Sequence, residues 1–143
     1  MTDITVKTIM VSDLITADAN DSLFAVYQIL KKFRIHHIPV IDKSGDIKGI
    51  ISWTDIERLK VGASLFKNPK KEEYTEAYFH SMRACDIMGE NLVTIEASSS
   101  IREAYGIFKK NEFHALPVIE EGRLVGILTP LDILDYFFNQ EQT

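Results

Sequence analysis

The sequence predicts an α+β fold built from two similar halves, because one stretch of the chain is repeated and each copy combines strand-like and helix-like patterns. Residues 8–42 align without a gap on residues 86–120, and fourteen of these 35 positions are identical. After a one-residue gap the alignment resumes with Gly49 opposite Gly126. A match this dense, with its gap confined to a turn, indicates an internal duplication.

Each copy predicts the same order of elements, which is strand, helix, strand, strand, helix. The first strand is a short apolar segment at residues 14–16 and, in the second copy, at residues 92–95. The first helix follows Ser22 or Ser100, since serine is suited to the N-cap position. Apolar residues then recur at intervals of three and four, which predicts one buried face for each of these helices.

A hairpin and a second helix complete each copy. The hairpin strands are β-branched runs joined by a glycine-containing turn, at residues 38–41 and 47–51 and at residues 116–119 and 124–128. A proline near the start of each first run lies where a missing N–H does least harm. The second helix then begins at Ser52 or Thr129.

The two copies are expected to form one module. A half of this size buries too little surface to be stable alone, so we expect the repeats to pack sheet to sheet about a pseudo-two-fold axis. The predicted boundaries are residues 1–60 for the first repeat, residues 61–84 for a connecting helical insert and residues 85–143 for the second repeat. The insert has a break at Asn68-Pro69 and apolar residues on one face; a partner-binding helix is the alternative interpretation.

Composition argues against several classes of function. A net charge of −5 does not favour a nucleic-acid surface, which depends on many cationic side chains. The single cysteine, Cys85, cannot form an intrachain disulfide, and the four histidines lack the spacing of a zinc site. No nucleophile or phosphate-loop motif occurs, so we expect no enzyme. Residues 1–10 lack the pattern of a signal peptide and no apolar run reaches membrane-spanning length, which predicts a cytoplasmic protein.

The two hairpin-and-helix motifs resemble the CBS domain pair, or Bateman module. The likeness is carried by Ile-Pro-Val-Ile at residues 38–41 with Gly-Ile-Ile-Ser-Trp-Thr-Asp at residues 49–55. The second copy repeats it as Leu-Pro-Val-Ile at residues 116–119 with Gly-Ile-Leu-Thr-Pro-Leu-Asp at residues 126–132. The resemblance covers nearly the whole chain outside the insert and the extreme termini.

The resemblance implies a stand-alone regulatory module that binds an adenosine-containing ligand in the clefts between the repeats. AMP, ADP, ATP and S-adenosylmethionine are the expected ligand classes, and no cofactor is required. The resemblance also implies control of a separate effector protein and a homodimer formed by terminal helices. Such a dimer would hide the apolar run at residues 133–138, for which packing onto the insert is the alternative. The alternative is a structural dimerisation module whose clefts are empty.

Two Ser/Thr-x-x-Asp motifs are the leading candidates for the site. Ser52 with Asp55, and Thr129 with Asp132, lie where a strand ends and a helix begins. The free N–H groups and positive dipole of a helix start attract phosphate, while an aspartate one turn later accepts hydrogen bonds from both ribose hydroxyls. The same pattern also caps helices without any ligand, so capping remains the alternative function of these residues.

The resemblance implies the same ligand-binding positions in each copy, at the end of the first strand, the start of the hairpin and the start of the second helix. In the first copy these are Ile15, Thr16, His36, His37, Ile38, Ser52, Thr54 and Asp55. In the second copy they are Val93, Thr94, His114, Ala115, Leu116, Thr129, Leu131 and Asp132.

Other residues near these positions leave alternatives open. His36 and His114 occupy matching positions and suit polyphosphate at mildly acid pH, or are simply half-buried and hydrogen-bonded. Trp53 stacks on a base or packs at the rim of the cleft. Because Arg34 is replaced by Glu112 in the second copy, we expect the two clefts to be unequal.

Overall fold

The structure is a computed structural model and describes residues 3–64 and 71–140. In both copies its strands and longer helices follow the predicted order, and a four-residue helix that the sequence did not predict precedes the first strand. In chain order they are α1 Val6–Ile9, β1 Ala17–Asp18, α2 Leu23–Phe33, β2 His37–Ile41, β3 Ile47–Ser52, α3 Trp53–Ser64, α4 Lys71–Ser81, α5 Ala84–Ile87, β4 Ile95–Glu96, α6 Ile101–Lys109, β5 Leu116–Glu120, β6 Arg123–Leu128 and α7 Pro130–Gln140. No helix in the described part of the chain has the length and apolar content needed to cross a membrane.

Each copy forms a three-stranded sheet, in the order β1-β2-β3 or β4-β5-β6. The first pair of strands is parallel and the second pair is an antiparallel hairpin, as the sequence predicted. The predicted α+β class with tandem repeats is therefore confirmed. The first strand of each copy lies later than predicted. The parallel ladder of the first copy begins with Ala17 opposite Val40 and leaves residues 14–16 before the strand, and that of the second copy begins with Ile95 opposite Val118, the last residue of the predicted 92–95.

The chain forms two compact units whose boundaries differ from those of the two repeats. One unit contains residues 15–91, and the other combines the described residues up to Leu14 with those from Leu92 onward. Each unit is closed by a short segment from the start of a repeat: Val11 pairs with Ile127, and Gly89 pairs with Ile50. The predicted boundaries follow the duplication, and both they and the sheet-to-sheet packing of the repeats stay predictions.

A methionine-to-glycine contact explains part of the identity between the copies. A Cβ atom at Gly126 would lie 2.5 Å from the Met10 sulfur, and one at Gly49 would lie 2.7 Å from Met88 Cγ. The methionine at the end of each closing segment therefore packs directly on the strand backbone, where no larger residue fits beside it. Both partners of this contact are identical in the two copies.

Each unit has an apolar core between its sheet and its helices. The unit of residues 15–91 buries chiefly Leu23, Val26, Leu30, Ile38, Val40, Ile51, Ile56 and Phe79. The other unit buries Val6, Ile95, Ala97, Ala104, Leu116, Val118 and Leu128. The apolar stripes predicted for the first helix of each copy face these cores, except that Tyr105, which the same spacing places in the second stripe, is 55% exposed. Each of these helices is capped by its serine as expected.

Helix α4 packs against α2 and α3 through a different face from the one the sequence suggested. Apolar spacing indicated a contact face with Tyr74 and Tyr78, but these side chains are 59% and 47% exposed. Phe79 is buried instead, at 1% exposure, with its ring centroid 5.6 Å from that of Tyr27. The core accepts the purely apolar ring and leaves the tyrosine hydroxyls to solvent. The predicted break at Asn68-Pro69 lies outside the described residues.

The packing of α4 predicts unequal losses of stability for substitutions at two neighbouring aromatic residues. Phe79→Ala should lower the free energy of unfolding by about 3–5 kcal/mol, because it opens a cavity under α4. Tyr78→Ala, the matched control on the same helix, should cost less than about 1 kcal/mol. Urea denaturation followed by circular dichroism measures both values, and equal losses would contradict the observed orientation of α4.

Candidate ligand-binding site

In each unit the strand register brings the predicted site segments to one edge of the sheet. His37 lies opposite Ser52, so the start of β2 faces the end of β3, where α3 begins. Extending the parallel register between β1 and β2 by two residues places Ile15 level with Ile38. Three backbone segments that the sequence singled out therefore meet beside the first turn of α3.

The second unit repeats this arrangement. Leu116 lies opposite Leu128, and the residue after Leu128 is Thr129, which precedes α7. The parallel register between β4 and β5 places Val93 level with Leu116. Each unit thus contains one complete set of the predicted residues at one edge of its sheet.

The two Ser/Thr-x-x-Asp motifs form reciprocal hydrogen bonds at the starts of α3 and α7. The Ser52 amide donates to Asp55 Oδ2 at 2.9 Å, and the Asp55 amide donates to Ser52 Oγ at 3.1 Å. The Thr129 amide donates to Asp132 Oδ2 at 2.8 Å, and the Asp132 amide donates to Thr129 Oγ1 at 3.4 Å. The capping alternative is therefore realised in both copies.

Capping uses only part of each aspartate. All of the hydrogen bonds to Asp55 and Asp132 end on Oδ2, and within residues 3–64 and 71–140 neither Oδ1 atom accepts a hydrogen bond. Both residues are half-buried, so each carboxylate is held by one oxygen while the other remains available. A carboxylate oxygen has two lone pairs, and it therefore retains full accepting capacity at this point.

The hydroxyl groups differ between the copies. Thr129 Oγ1 donates to Asp132 Oδ2 at 3.0 Å, whereas Ser52 Oγ only accepts from the Asp55 amide in the contacts that the structure gives. The position of the exposed Thr54 is taken in the second copy by Leu131, which is 62% exposed and has no hydroxyl group. In the first copy the hydroxyls of Ser52 and Thr54 can therefore both donate to a ligand, whereas the Thr129 hydroxyl of the second copy already donates to Asp132.

Trp53 packs against its own unit. Its ring stacks on Tyr27, with centroids 5.8 Å apart and an interplanar angle of 20°. Lys60 Nζ lies 4.4 Å from the centroid of Tyr27 and 5.2 Å from that of Trp53. Packing is therefore the interpretation that the geometry favours for Trp53, and sequence analysis had missed the contribution of Lys60 to this cluster.

Lys60 remains charged in this cluster. Burial is the largest single influence and lowers the pKa of Lys60, but the hydrogen bond to Tyr27 and the charge of Glu57 together outweigh it. The net result is a pKa above the ordinary lysine value. The ammonium group donates to Tyr27 Oη at 2.9 Å and so holds the two rings in place.

A small cavity with mainly apolar walls borders the start of β2 in the first unit. Its volume is about 230 Å³, and Lys31, Arg34 and His36 contribute to its lining together with Trp53. His36 and His114 are both exposed, so neither is the half-buried histidine that sequence analysis gave as an alternative. Glu112 replaces Arg34 in the second copy, so this charge belongs to the first copy alone.

The described residues contain no cluster of three or more histidine, cysteine, aspartate or glutamate side chains able to hold a metal ion. Cys85 is half-buried, and its sulfur lies 3.9 Å from Asp86 Oδ1. The chemistry that the described site residues offer is therefore hydrogen bonding from backbone, hydroxyl and carboxylate groups.

Comparison with known proteins identifies the family. The CBS domain model matches residues 6–62 and 84–139, more than half of the chain. A CBS domain-containing protein of Dictyostelium discoideum is 32% identical over 131 residues, covering 91% of this chain and 88% of that protein.

Solved structures agree with this assignment. The CBS domain pair of protein MJ0100, in complex with 5′-methylthioadenosine and S-adenosyl-L-methionine, has a TM-score of 0.76 at 26% identity, covering 97% of this chain and 99% of that one. The CBS domain of a membrane protein from Sphaerobacter thermophilus has a TM-score of 0.79 at 24% identity, covering 93% and 87%. The chain therefore belongs to the CBS domain family and carries that domain twice.

Proposed function

We propose that this protein is a cytoplasmic regulatory module that binds AMP, ADP, ATP or S-adenosylmethionine and controls a separate effector protein. The proposal rests on the aspartate at each helix start, where three backbone segments converge. The cap occupies Oδ2 of this carboxylate, and Oδ1 accepts no hydrogen bond from the described residues. CBS-pair proteins are generally regulatory rather than catalytic. The relative in complex with S-adenosyl-L-methionine and 5′-methylthioadenosine supports the adenosyl ligand class.

The proposed role of Asp55 and Asp132 is to hold the ribose. The two ribose hydroxyls donate to Oδ1, which has no protein donor among the described residues, while the cap holds Oδ2 and fixes the orientation of the carboxylate. Because the side chain is already ordered by the cap, binding a sugar costs little additional side-chain entropy. Capping and ribose binding are thus compatible functions of one aspartate.

The remaining site residues divide between the base and the phosphates. The backbone around Ile15, Thr16, His37 and Ile38 would border adenine, as would that around Val93, Thr94, Ala115 and Leu116. The side chains of His36, His114, Ser52, Thr54 and Thr129 would face phosphate or an equivalent polar group. The first copy has the additional hydroxyls and has Arg34 where the second copy has Glu112, so it should bind phosphorylated ligands more tightly than the second copy.

The competing proposal is a structural dimerisation module with empty clefts. The specific observation in its favour is that both helix starts are already capped by the chain's own side chains, so the fold does not depend on a ligand there.

Ligand binding can be separated from capping by a matched pair of variants. The combined Asp55→Ala and Asp132→Ala variant should abolish binding, because it removes both ribose acceptors. Asp86→Ala is the control, since the Arg83 amide donates to Asp86 Oδ2 at 2.8 Å in a comparable cap away from the site. Loss of one cap costs about 1 kcal/mol, so the double variant should lose about 2 kcal/mol of stability and the control about 1 kcal/mol.

Thermal unfolding with AMP, ADP, ATP, GTP, NAD and S-adenosylmethionine provides the measurement. A ligand present at about 100 times its dissociation constant stabilises the protein by about 2.7 kcal/mol. We expect this gain for the unmodified chain and the Asp86→Ala control alone. If the doubly substituted protein folds and still gains stability, the ribose assignment is wrong. If no ligand stabilises the unmodified chain, the structural module is the better explanation.

We further propose that the protein is a homodimer formed through α7. Leu131, Leu134 and Phe138 are 62%, 52% and 66% exposed and follow one side of the helix; we call them the α7 stripe. A contiguous apolar surface of this kind is typical of an interface, and a two-fold axis would cover both copies of it at once.

A charge placed in the α7 stripe should therefore dissociate the dimer. Leu134→Glu should give a monomer by size-exclusion chromatography with light scattering, because a carboxylate would be buried without a partner. Phe33→Glu introduces the same charge at a 50% exposed residue of α2 and should leave the mass unchanged. A monomeric unmodified chain, or a dimer that survives Leu134→Glu, would exclude this interface.

A further inference from the structure

Trp53 joins the candidate ligand-binding site of the first unit to a cluster of rings outside the site. Its backbone amide donates to the carbonyl of His36 at 2.8 Å, which connects the start of α3 to the residue before β2. Because Trp53 directly follows Ser52, its backbone lies in the helical turn that Asp55 caps. Its ring stacks on Tyr27, with centroids 5.8 Å apart. The backbone of Trp53 therefore belongs to the site, while its side chain contacts a different helix.

Tyr27 contacts α4 as well as Trp53. Phe79 of α4 packs edge-on against Tyr27, with ring centroids 5.6 Å apart. Lys60 Nζ lies 4.4 Å from the centroid of Tyr27 and 5.2 Å from that of Trp53, and it donates a hydrogen bond to the Tyr27 hydroxyl. Three rings therefore form a continuous series of contacts from the site to α4; we call Trp53, Tyr27 and Phe79 the aromatic path.

Helix α4 is attached to its unit mainly through one side chain. Phe79 is 1% exposed, and it alone is buried among the residues of α4 whose side chains the structure describes. His80 adds a ring contact with Phe24 at 4.1 Å, but its side chain is exposed. Elements with few buried apolar side chains open locally at a low free energy. The contact of Phe79 with Tyr27 therefore contributes much of the local stability of α4.

The cavity at the start of β2 leaves Trp53 space to move. Leu30 and Ile35 line this cavity together with the half-buried Trp53, and its volume is about 230 Å³. A close-packed interior resists small displacements of a side chain, because each displacement meets neighbouring atoms. Beside a cavity of this size the indole ring can shift when the backbone of the site shifts, and the position of the Tyr27 ring stacked on it then changes too.

The second copy has the same cap without this connection. The alignment places Pro130 opposite Trp53 and Phe137 opposite Lys60. Proline has no N–H group, so Pro130 cannot donate the hydrogen bond that Trp53 donates to His36. Its small saturated ring also provides no indole surface for a neighbouring tyrosine. The duplication thus contains its own comparison, in which one capped helix start is connected to an aromatic path and the other is not.

We propose that the docking of α4 is coupled to the start of α3 through the aromatic path, so that a ligand in the first unit stabilises α4 and a ligand in the second unit does not. The role of the ligand rests on the proposed regulatory function. A ligand that contacts Asp55 and the backbone at residues 36–38 fixes the first turn of α3, and with it the ring of Trp53 and the surface on which Phe79 packs. Because linkage is reciprocal, a firmly docked α4 also raises the affinity of the first site. Trp53 and Tyr27 are thus positioning residues.

The first test measures hydrogen exchange of the α4 amides in the full chain by mass spectrometry. In the Asp132→Ala protein, which retains the first site, saturating AMP should slow exchange at residues 73–81 at least about fivefold, the lower end of typical coupling between sites. In the Asp55→Ala protein, which retains the second site, AMP should change this exchange by less than about twofold. The fluorescence of Trp53, the single tryptophan of the sequence, should respond to AMP in the first protein and not in the second.

Substitutions of Trp53 separate the aromatic path from general stability. Trp53→Pro introduces the residue of the second copy, and proline is well accepted at the first position of a helix. Added to the Asp132→Ala protein, it should allow saturation by AMP but reduce the effect on α4 exchange to less than about twofold. Trp53→Phe keeps the amide and an aromatic ring and should restore the effect. Tyr78→Ala, on the exposed face of α4, is the matched control and should leave the effect unchanged.

A second test needs no ligand. Because only the first cap adjoins the aromatic path, Asp55→Ala should speed exchange of the α4 amides about fivefold, the change that corresponds to one lost cap. Asp132→Ala removes the equivalent cap of the other unit and should change the same amides by less than about twofold. Trp53→Pro compared with Trp53→Phe decides the question if either aspartate variant proves unfolded by circular dichroism.

The outcomes distinguish the coupling from the sensor function. Equal exchange of α4 in the two aspartate variants, both with and without AMP, would overturn the coupling. A thermal shift of the Asp132→Ala protein with AMP, without any change in α4 exchange, would overturn the coupling and leave the sensor function intact. If no ligand of the panel gives a thermal shift while Asp55→Ala alone loosens α4, the sensor function is wrong and the connection between the first cap and α4 is supported.

Discussion

The structure depends on the reciprocal hydrogen bonds that close the first turn of the last helix in each copy. They join the end of a hairpin strand to the helix, and so they set the direction in which α3 and α7 leave their sheets. Because one carboxylate oxygen carries this cap, the other is held in a defined position beside the converging backbone segments. In each copy one aspartate, Asp55 or Asp132, thus links the stability of the fold to the chemistry of the candidate site.

The closing segments show why the duplicated parts cannot be regarded as independent domains. Each repeat contributes its opening segment to one compact unit and its sheet to the other. The contact of Met10 with Gly126, and that of Met88 with Gly49, leaves no space for a Cβ atom on the strand. Sequence identity between the copies at these positions therefore reflects a packing requirement. At Asp55 and Asp132, by contrast, the requirement that the structure gives is the helix cap, which leaves Oδ1 open for the proposed ligand.

Sequence analysis predicted the order of elements, both hairpins, the serine caps and the segments that meet at each site, since all of these depend on local patterns and on an internal repeat. It placed the first strand of each copy too early, because pairing with Val40 or Val118, and not local apolar character, decides where the ladder begins. It also assigned the wrong face to α4. Aromatic residues lie on several sides of that helix, and only the surface it meets determines that Phe79 is buried and Tyr78 is not. The cluster around Lys60 was missed for the same reason, since Tyr27 is remote in sequence.

Differences between the copies are concentrated around the place that α4 occupies. The elements that form the candidate site keep their aspartates, their caps and their strand register in both units. At the α4 surface, by contrast, Phe24 is replaced by Arg102 and Lys60 by Phe137. In the first unit the lysine and the stacked rings belong to a surface that the chain itself covers. In the second unit the guanidinium of Arg102 and the half-exposed rings of Tyr105 and Phe137 face solvent. The duplication has therefore preserved the elements of the candidate site in both copies, whereas the surface that α4 covers in the first unit differs between the copies.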